Sequence, residues 1–312
     1  THALIQKRIK FDRLGLVVID EQQRFGVEQR AILREKGSNP HLLSMTATPI
    51  PRTIFLTIYS DLALSVLSEM PKGRKQIKTW VVPEEKREKG YEWISDKIRT
   101  EKSQVFIVCP FIEPSETLTT VKAAKDEFER LKKEVFPKFK LGLLHGKLKT
   151  VEKNSVIEKF RKGLIDVLVA TPVIEVGFDI PTADIMIIEA AERFGLAQLH
   201  QMRGRVGRGE KQSYCFLFTD AASEKTRERL GYLQTVDNGP ELAEIDLKLR
   251  GPGDMFGTAQ HGIPDLKIAS LSDLPTIERA RKSAEQLFDK LSKYPTLQQK
   301  VEETDIPKVS RD

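Results

Sequence analysis

At 312 residues the chain is long enough for about two domains and a small third one. Its 39% hydrophobic residues and 19 glycines put the apolar share at the low edge of the ~45–50% usual for globular proteins, which excludes wholesale disorder. Lys and Arg number 51 against 45 Asp and Glu, a net charge of +6 that is compatible with a polyanionic partner without identifying one. The longest apolar runs, residues 15–19 and 105–112, fall short of the ~18 residues that cross a bilayer, so no membrane span is expected. Cys109 and Cys215 each lie inside an apolar run and read as buried reduced thiols, which points to a cytoplasmic protein. The opening Thr1-His2-Ala3-Leu4 has neither an initiator Met nor a signal-peptide pattern, and the chain is expected to be a piece of something longer.

Short runs rich in Val and Ile alternate with charged stretches of helical period, the βαβα rhythm of an α/β parallel sheet covered by helices. In chain order, strands are predicted at residues 15–20, 42–45, 78–82, 104–108, 140–144, 166–170, 183–188 and 213–218. Helices are predicted at 27–36, 84–99, 117–134, 150–162 and 196–203. In the fourth, Val156, Ile157 and Phe160 share one side while Glu152, Lys153, Glu158 and Lys159 stay wet. Met70-Pro71-Lys72-Gly73-Arg74-Lys75 reads as a boundary, and the composition changes again after Phe218. The expected domains are therefore 1–72, 73–220 and 221–312. The last region has no strong strand run, carries a glycine-rich loop around Gly251-Pro252-Gly253, and closes with a helix from about Pro275. That helix puts Ile277, Ala280, Ala284, Leu287 and Leu291 on one stripe and is expected to pack on the preceding domain.

Asp20-Glu21 directly follows the apolar strand Leu16-Val17-Val18-Ile19. Two carboxylates at the carboxyl end of a buried parallel strand suit nucleotide hydrolysis, one holding Mg²⁺ through water and the other polarising the attacking water; a solvated turn is the alternative. Thr46 and Thr48 follow the next strand and offer hydroxyls that can bond those carboxylates, or else cap a proline-stiffened turn. In Gln201-Met202-Arg203-Gly204-Arg205-Val206-Gly207-Arg208-Gly209, three arginines interleave with glycines, as a clamp on a phosphate chain requires. Thr171, Gly177 and Asp179 after one strand, and His145-Gly146-Lys147 after another, suit contacts to a nucleic-acid backbone, although a His-Gly turn is also a common structural device.

The ordered stretches DEQQRFGV (20–27), SMTATPIPRT (44–53), FIVCPFIE (106–113), LLHGKLK (143–149), ATPVIEVGFDIP (170–181) and QLHQMRGRVGRG (198–209) resemble motifs of the superfamily 2 helicases. With RGPGDMFGTAQHG (250–262), the chain is similar to the RecG family of bacterial ATP-dependent DNA helicases. A transcription-repair coupling translocase shares some of these stretches, but Pro252 and Gln260-His261-Gly262 favour the RecG type. A non-catalytic DNA-binding module is the reading from a different class. The resemblance implies RecA-like motor domains, the first partial and the second complete, followed by a mostly helical coupling region. It also implies ATP and Mg²⁺ as cofactors, branched double-stranded DNA as partner, a single-stranded DNA-binding protein as a further partner, and a monomer. Asp20 and Glu21 correspond to the Mg²⁺-linked and water-activating acids, Arg205 and Arg208 to the pair that meets the γ-phosphate, with Gln201, Gly177 and Asp179 close by. Arg250 and Gln260 correspond to the element that couples hydrolysis to movement.

A phosphate-binding loop needs Gly-Lys followed by Ser or Thr, and the one Gly-Lys pair, Gly146-Lys147, is followed by Leu148. The resemblance therefore implies that the first motor domain is represented by its C-terminal part and that these residues alone do not hydrolyse ATP. Gln23, Pro172 and Pro240 depart from the residues usual in the family at those positions.

Overall fold

The computed structural model describes residues 2–6, 8–22, 25–48, 63–67, 69, 73, 75–110, 117–171, 183–207, 209, 211–220, 223–250 and 273–303. The chain divides into two compact units, one of Thr1–Val66 with Pro252–Asp312 and one of Leu67–Gly251.

In the first unit, β1 (Leu16–Ile19) and β2 (His41–Ser44) pair in parallel, joined by α1 (Val27–Glu35). Val17 and Ile19 are buried with Leu33 of α1, while Leu16 and Val18 stand exposed on the opposite face beside Leu43. The two helices that end the described chain, residues 274–288 and 295–303, group with this unit. Asp273 caps the first of them by accepting the Thr276 N–H at 3.2 Å, with Pro275 in the opening turn. This helix groups with the first unit, Ala280 and Ala284 are exposed, and Ile277 and Leu287 are half-buried, because a stripe interrupted by alanines has little apolar area to bury.

The second unit is built on six parallel strands: β3 (Lys78–Pro83), β4 (Gln104–Val108), β5 (Leu141–Leu144), β6 (Val167–Ala170), β7 (Ala183–Ile188) and β8 (Tyr214–Thr219). Their order across the sheet is β3-β8-β7-β4-β6-β5. The helices are α2 (Arg87–Glu101), α3 (Thr117–Arg130), α4 (Thr150–Arg161), α5 (Leu196–Arg203), α6 (Glu224–Thr235) and α7 (Gly239–Arg250). Side chains alternate between two cores: Val105, Ile107, Val167, Ile185 and Ile187 join α2 on one face, and Phe106, Val108, Leu168, Met186 and Ile188 join α4 to α7 on the other. Strand segments buried on both faces must be apolar throughout, which is why residues 105–108, 167–170 and 185–188 read as unbroken runs in the sequence. The predicted helix 117–134 ends differently from expectation. Its last turn, Leu131–Val135, widens to a π-turn in which Phe136 N–H donates to Leu131 O at 2.7 Å. Helices α6 and α7 were not individually foreseen, and they group with this unit. Gln234 of α6 accepts the Val81 N–H at 3.0 Å, so a helix side chain covers part of the open edge of β3. Cys109 and Cys215 are buried free thiols, and burial pushes Cys215 up to about 12.

Glu189, the residue after β7, is 7% exposed. Its Oε2 accepts from Arg87 at 2.6 Å and its Oε1 from the Tyr91 hydroxyl at 2.9 Å. Arg87 reaches on to Asp220 at 3.0 Å, and Arg130 donates to the Tyr91 oxygen at 3.2 Å. Burial raises the Glu189 carboxyl above the ordinary range, opposed by the guanidinium of Arg87. Replacing Glu189 removes the buried carboxylate that faces Arg87 and leaves that guanidinium with the exposed carboxylates of Asp220 and Glu84, so Glu189→Ala is expected to destabilise the unit by about 3 kcal/mol, read from the midpoint of urea unfolding. The paired change Arg87→Met with Glu189→Leu is expected to recover most of that loss.

Candidate functional site

Strand β1 delivers Asp20 and Glu21 at its carboxyl end. Asp20 is exposed, and its Oδ1 accepts the Glu21 N–H at 2.9 Å. Glu21 lies at φ 53°, a left-handed conformation that costs a non-glycine residue about 1 kcal/mol or more and points to a functional constraint. Backbone bonds tie this turn to the hydroxyl-bearing segment after β2: Met45 N–H donates to Ile19 O at 2.7 Å, and Gln22 N–H to Met45 O at 3.1 Å. Next to Met45, Thr46 Oγ1 accepts the Thr48 N–H at 3.0 Å. The acidic pair and the two threonines therefore sit at adjacent strand ends. Among the described residues no group of three or more His, Cys, Asp or Glu side chains could hold a metal. An exposed single carboxylate remains a suitable hard oxygen donor for a hydrated Mg²⁺.

In the second unit, β5 and β6 end side by side, with Thr171 N–H donating to Leu144 O at 3.2 Å. His145 and Thr171 are thus neighbours, and the sheet buries both. Among the described residues His145 Nδ1 and Thr171 Oγ1 have no hydrogen-bond partner. A buried polar atom without a partner is costly, so these two strand-end groups stand apart from the satisfied core around them. Lys147 is exposed in the following turn, and Lys153 Nζ donates to Gly146 O at 2.8 Å.

Helix α5 carries the arginine motif, and the structure divides its arginines. Arg203, read from the sequence as part of the phosphate clamp, is 4% exposed. It donates to Leu233 O at 2.7 Å and to Val236 O at 3.2 Å, and its guanidinium lies 3.3 Å from Asp237. That arginine is corrected to a structural tie, since its donors close the C-terminal end of α6. Arg205, just past the helix, is half-buried, and among the described residues its guanidinium has no hydrogen bond or ion pair. Gly207 sits at φ 75°, and a Cβ there would lie 3.1 Å from Ile77 Cγ1, so the turn that carries the arginines requires glycine. Gln201 is half-buried on α5. Gly177, Asp179, Arg208 and Gln260 lie outside the described residues, as do Gln23 and Pro172; Arg250 ends α7 with its side chain undescribed. Pro240 falls in the first turn of α7, where a missing N–H costs nothing.

Sequence reasoning missed Asp246 on α7 and Arg229 on α6. Asp246 Oδ2 accepts the Leu196 N–H at 3.0 Å, and Arg229 donates to Phe194 O at 2.9 Å and Glu192 O at 2.8 Å. In the sequence these charges look like those of any solvated helix; Asp246 lying between Ile245 and Leu247 was the one available hint.

The parallel sheet with an arginine-bearing helix past β7 defines the second RecA-like domain of a helicase motor. Residues 86–210 match the helicase conserved C-terminal domain, and residues 236–303 match domain 3, C-terminal, of the ATP-dependent DNA helicase RecG. Over most of its length the chain is homologous to the RecG helicases. It is 52% identical over 289 residues to the RecG of Synechocystis sp. and 50% identical over 288 residues to that of Thermotoga maritima, each match taking in 92% of this chain. It spans 34% and 37% of the length of those two relatives. A solved structure of RecG bound to a three-way DNA junction aligns with a TM-score of 0.68 at 46% identity, over 89% of this chain and 35% of that one. Yeast Dbp5 bound to RNA and ADP BeF3 shares the fold, with a TM-score of 0.54 at 18% identity over 80% of this chain.

Burial lowers the His145 imidazole below its usual range, aided by Lys125, Lys153 and Lys147 and opposed by Glu152. The unfolded chain then binds this proton more readily than the folded one, so the stability contributed is complete above about pH 6.5 and is lost as pH falls below it. An NMR titration of the His145 ring is expected to show a midpoint below 6.5, and His145→Gln to flatten that part of the stability curve.

Proposed function

We propose that this chain is the second motor domain and coupling region, with the C-terminal part of the first motor domain, of an ATP-dependent translocase on double-stranded DNA. Its substrates are branched molecules, stalled forks and Holliday junctions, remodelled in recombination and repair. The observation that carries the reading is the 46% identity to a RecG bound to a three-way DNA junction across 89% of the chain. The match of residues 236–303 to a RecG-specific region favours this type over a coupling translocase.

In this reading Glu21 polarises the water that attacks the γ-phosphate, and Arg205 and Arg208 take up the charge that develops there. Mg²⁺, held through water by Asp20, would neutralise charge on the phosphates. Gln201, Gly177 and Asp179 line the nucleotide side. His145, Lys147 and Thr171 contact DNA phosphates, Thr46 and Thr48 link the acids to the DNA track, and Arg250 and Gln260 couple hydrolysis to movement. The motor works as a monomer in the cytoplasm, with a single-stranded DNA-binding protein as a further partner.

Phosphate release in the presence of a three-way junction tests the reading. The full-length protein is expected to turn over ATP, Glu21→Gln to abolish turnover while nucleotide still binds, and Arg205→Ala to lower it on the order of 10³-fold. The 312 residues alone are expected to show none, since they hold no phosphate-binding loop. Junction-stimulated turnover by the isolated chain would refute that part, and a loss under tenfold in Arg205→Ala would make that arginine structural.

A further inference from the structure

Helix α5 is held at both ends by side-chain contacts with the α6–α7 pair. Its N-cap is Gly195, which offers no capping side chain. Asp246 of α7 supplies the missing acceptor to the Leu196 N–H. A Cβ at residue 195 would sit 2.9 Å from Asp246 Oδ2, so the glycine makes the room that the carboxylate occupies. Asp246 is 4% exposed, and its Oδ1 lies 3.9 Å from Arg229, whose guanidinium binds the two carbonyls just before the helix. At the other end Arg203 ties α5 to the last carbonyls of α6. Arg205 is the next residue but one, half-buried and unpartnered among the described residues.

We propose that Asp246 is a positioning residue that sets, through α5, where Arg205 meets the phosphates of a nucleoside triphosphate; this rests on the role given to Arg205 above. A carboxylate accepting at a helix N-terminus meets both the unpaired N–H groups and the positive end of the helix dipole. Here it comes from a neighbouring helix, so the cap and the α6–α7 pair move as one body with α5. A shift of about 1 Å in a group that contacts the reacting phosphate costs on the order of 10²-fold in rate.

The test combines DNA-stimulated hydrolysis by the full-length protein with amide hydrogen exchange at residues 196–199. Asp246→Ala is expected to lower kcat on the order of 10²-fold with little change in KM for ATP, and Asp246→Asn, whose amide oxygen still caps, to restore most of it. In an Arg205→Ala background the Asp246→Ala change is expected to cost nothing further, because the two act through one contact. Unchanged kcat well below a lowered Tm overturns the proposal, as does an undiminished loss in the Arg205→Ala background. Wild-type hydrolysis by Arg205→Ala instead overturns the function assigned to that arginine and the positioning role with it. The cap itself is then judged separately: exchange should speed up in Asp246→Ala and recover in Asp246→Asn, and unchanged exchange refutes it.

Discussion

Parallel pairing is the constraint on which the rest of this structure depends. Strands that all run one way need a crossover between each pair, so their carboxyl ends and the loops that leave them collect along one edge of the sheet. In the second unit that edge carries His145, Thr171, Glu189 and Asp220. The strands beneath them are apolar on both faces and leave no room for a polar side chain below the edge. Polar groups therefore concentrate where the backbone emerges, and some are satisfied while others are not. The carboxylate of Glu189 is engaged by Arg87 and Tyr91, whereas among the described residues Nδ1 of His145 and Oγ1 of Thr171 face no partner. The first kind of group locks the edge, and the second is the kind to which the proposed function assigns contact with DNA phosphates.

The arginine helix illustrates how that edge is made rigid. A helix of eight residues has little intrinsic stability in water, since nucleation is unfavourable and few hydrogen bonds follow it. α5 acquires its stability from outside, by burying Leu196, Leu199 and Met202 and by having its ends closed by Asp246 and by the bonds of Arg203 to α6. The two arginines of one motif thus do opposite things. Burial lowers the affinity of Arg203 for a proton, opposed by Asp237, and its donors are taken up by carbonyls of α6, while among the described residues Arg205 keeps its donors available.

The first unit follows the same rule on a smaller scale. Its two parallel strands again put their chemistry at the carboxyl ends, with Asp20 and Glu21 after one and Thr46 and Thr48 after the other, linked through Met45. Its sheet is covered by α1 on one face and exposes Leu16, Val18 and Leu43 on the other. The strained backbone of Glu21 is held against that modest core by backbone bonds across the strand ends rather than by depth of burial.

Much of this was legible in the amino-acid sequence, because strands buried on both faces must be written in Val, Ile and Leu, and that spelling is local. Residues 104–108, 183–188 and 196–203 were delimited from it as the structure has them. The side-by-side placement of the acidic pair and the threonines followed from two strands with a helix between them. What the sequence could not convey was which charges face inward. Arg203 and Arg205 are two residues apart and chemically identical, and only the packing of α6 against α5 buries one and spares the other. Asp246 and Arg229 look like surface charges until α7 and α6 bring them to the start of α5, and Glu189 looks like a strand-end turn until Arg87, 102 positions away, meets it. Periodicity reports the environment of a side chain along its own element, whereas the partner of a buried charge is fixed by contacts between elements distant in the chain, and these exist only in the folded state.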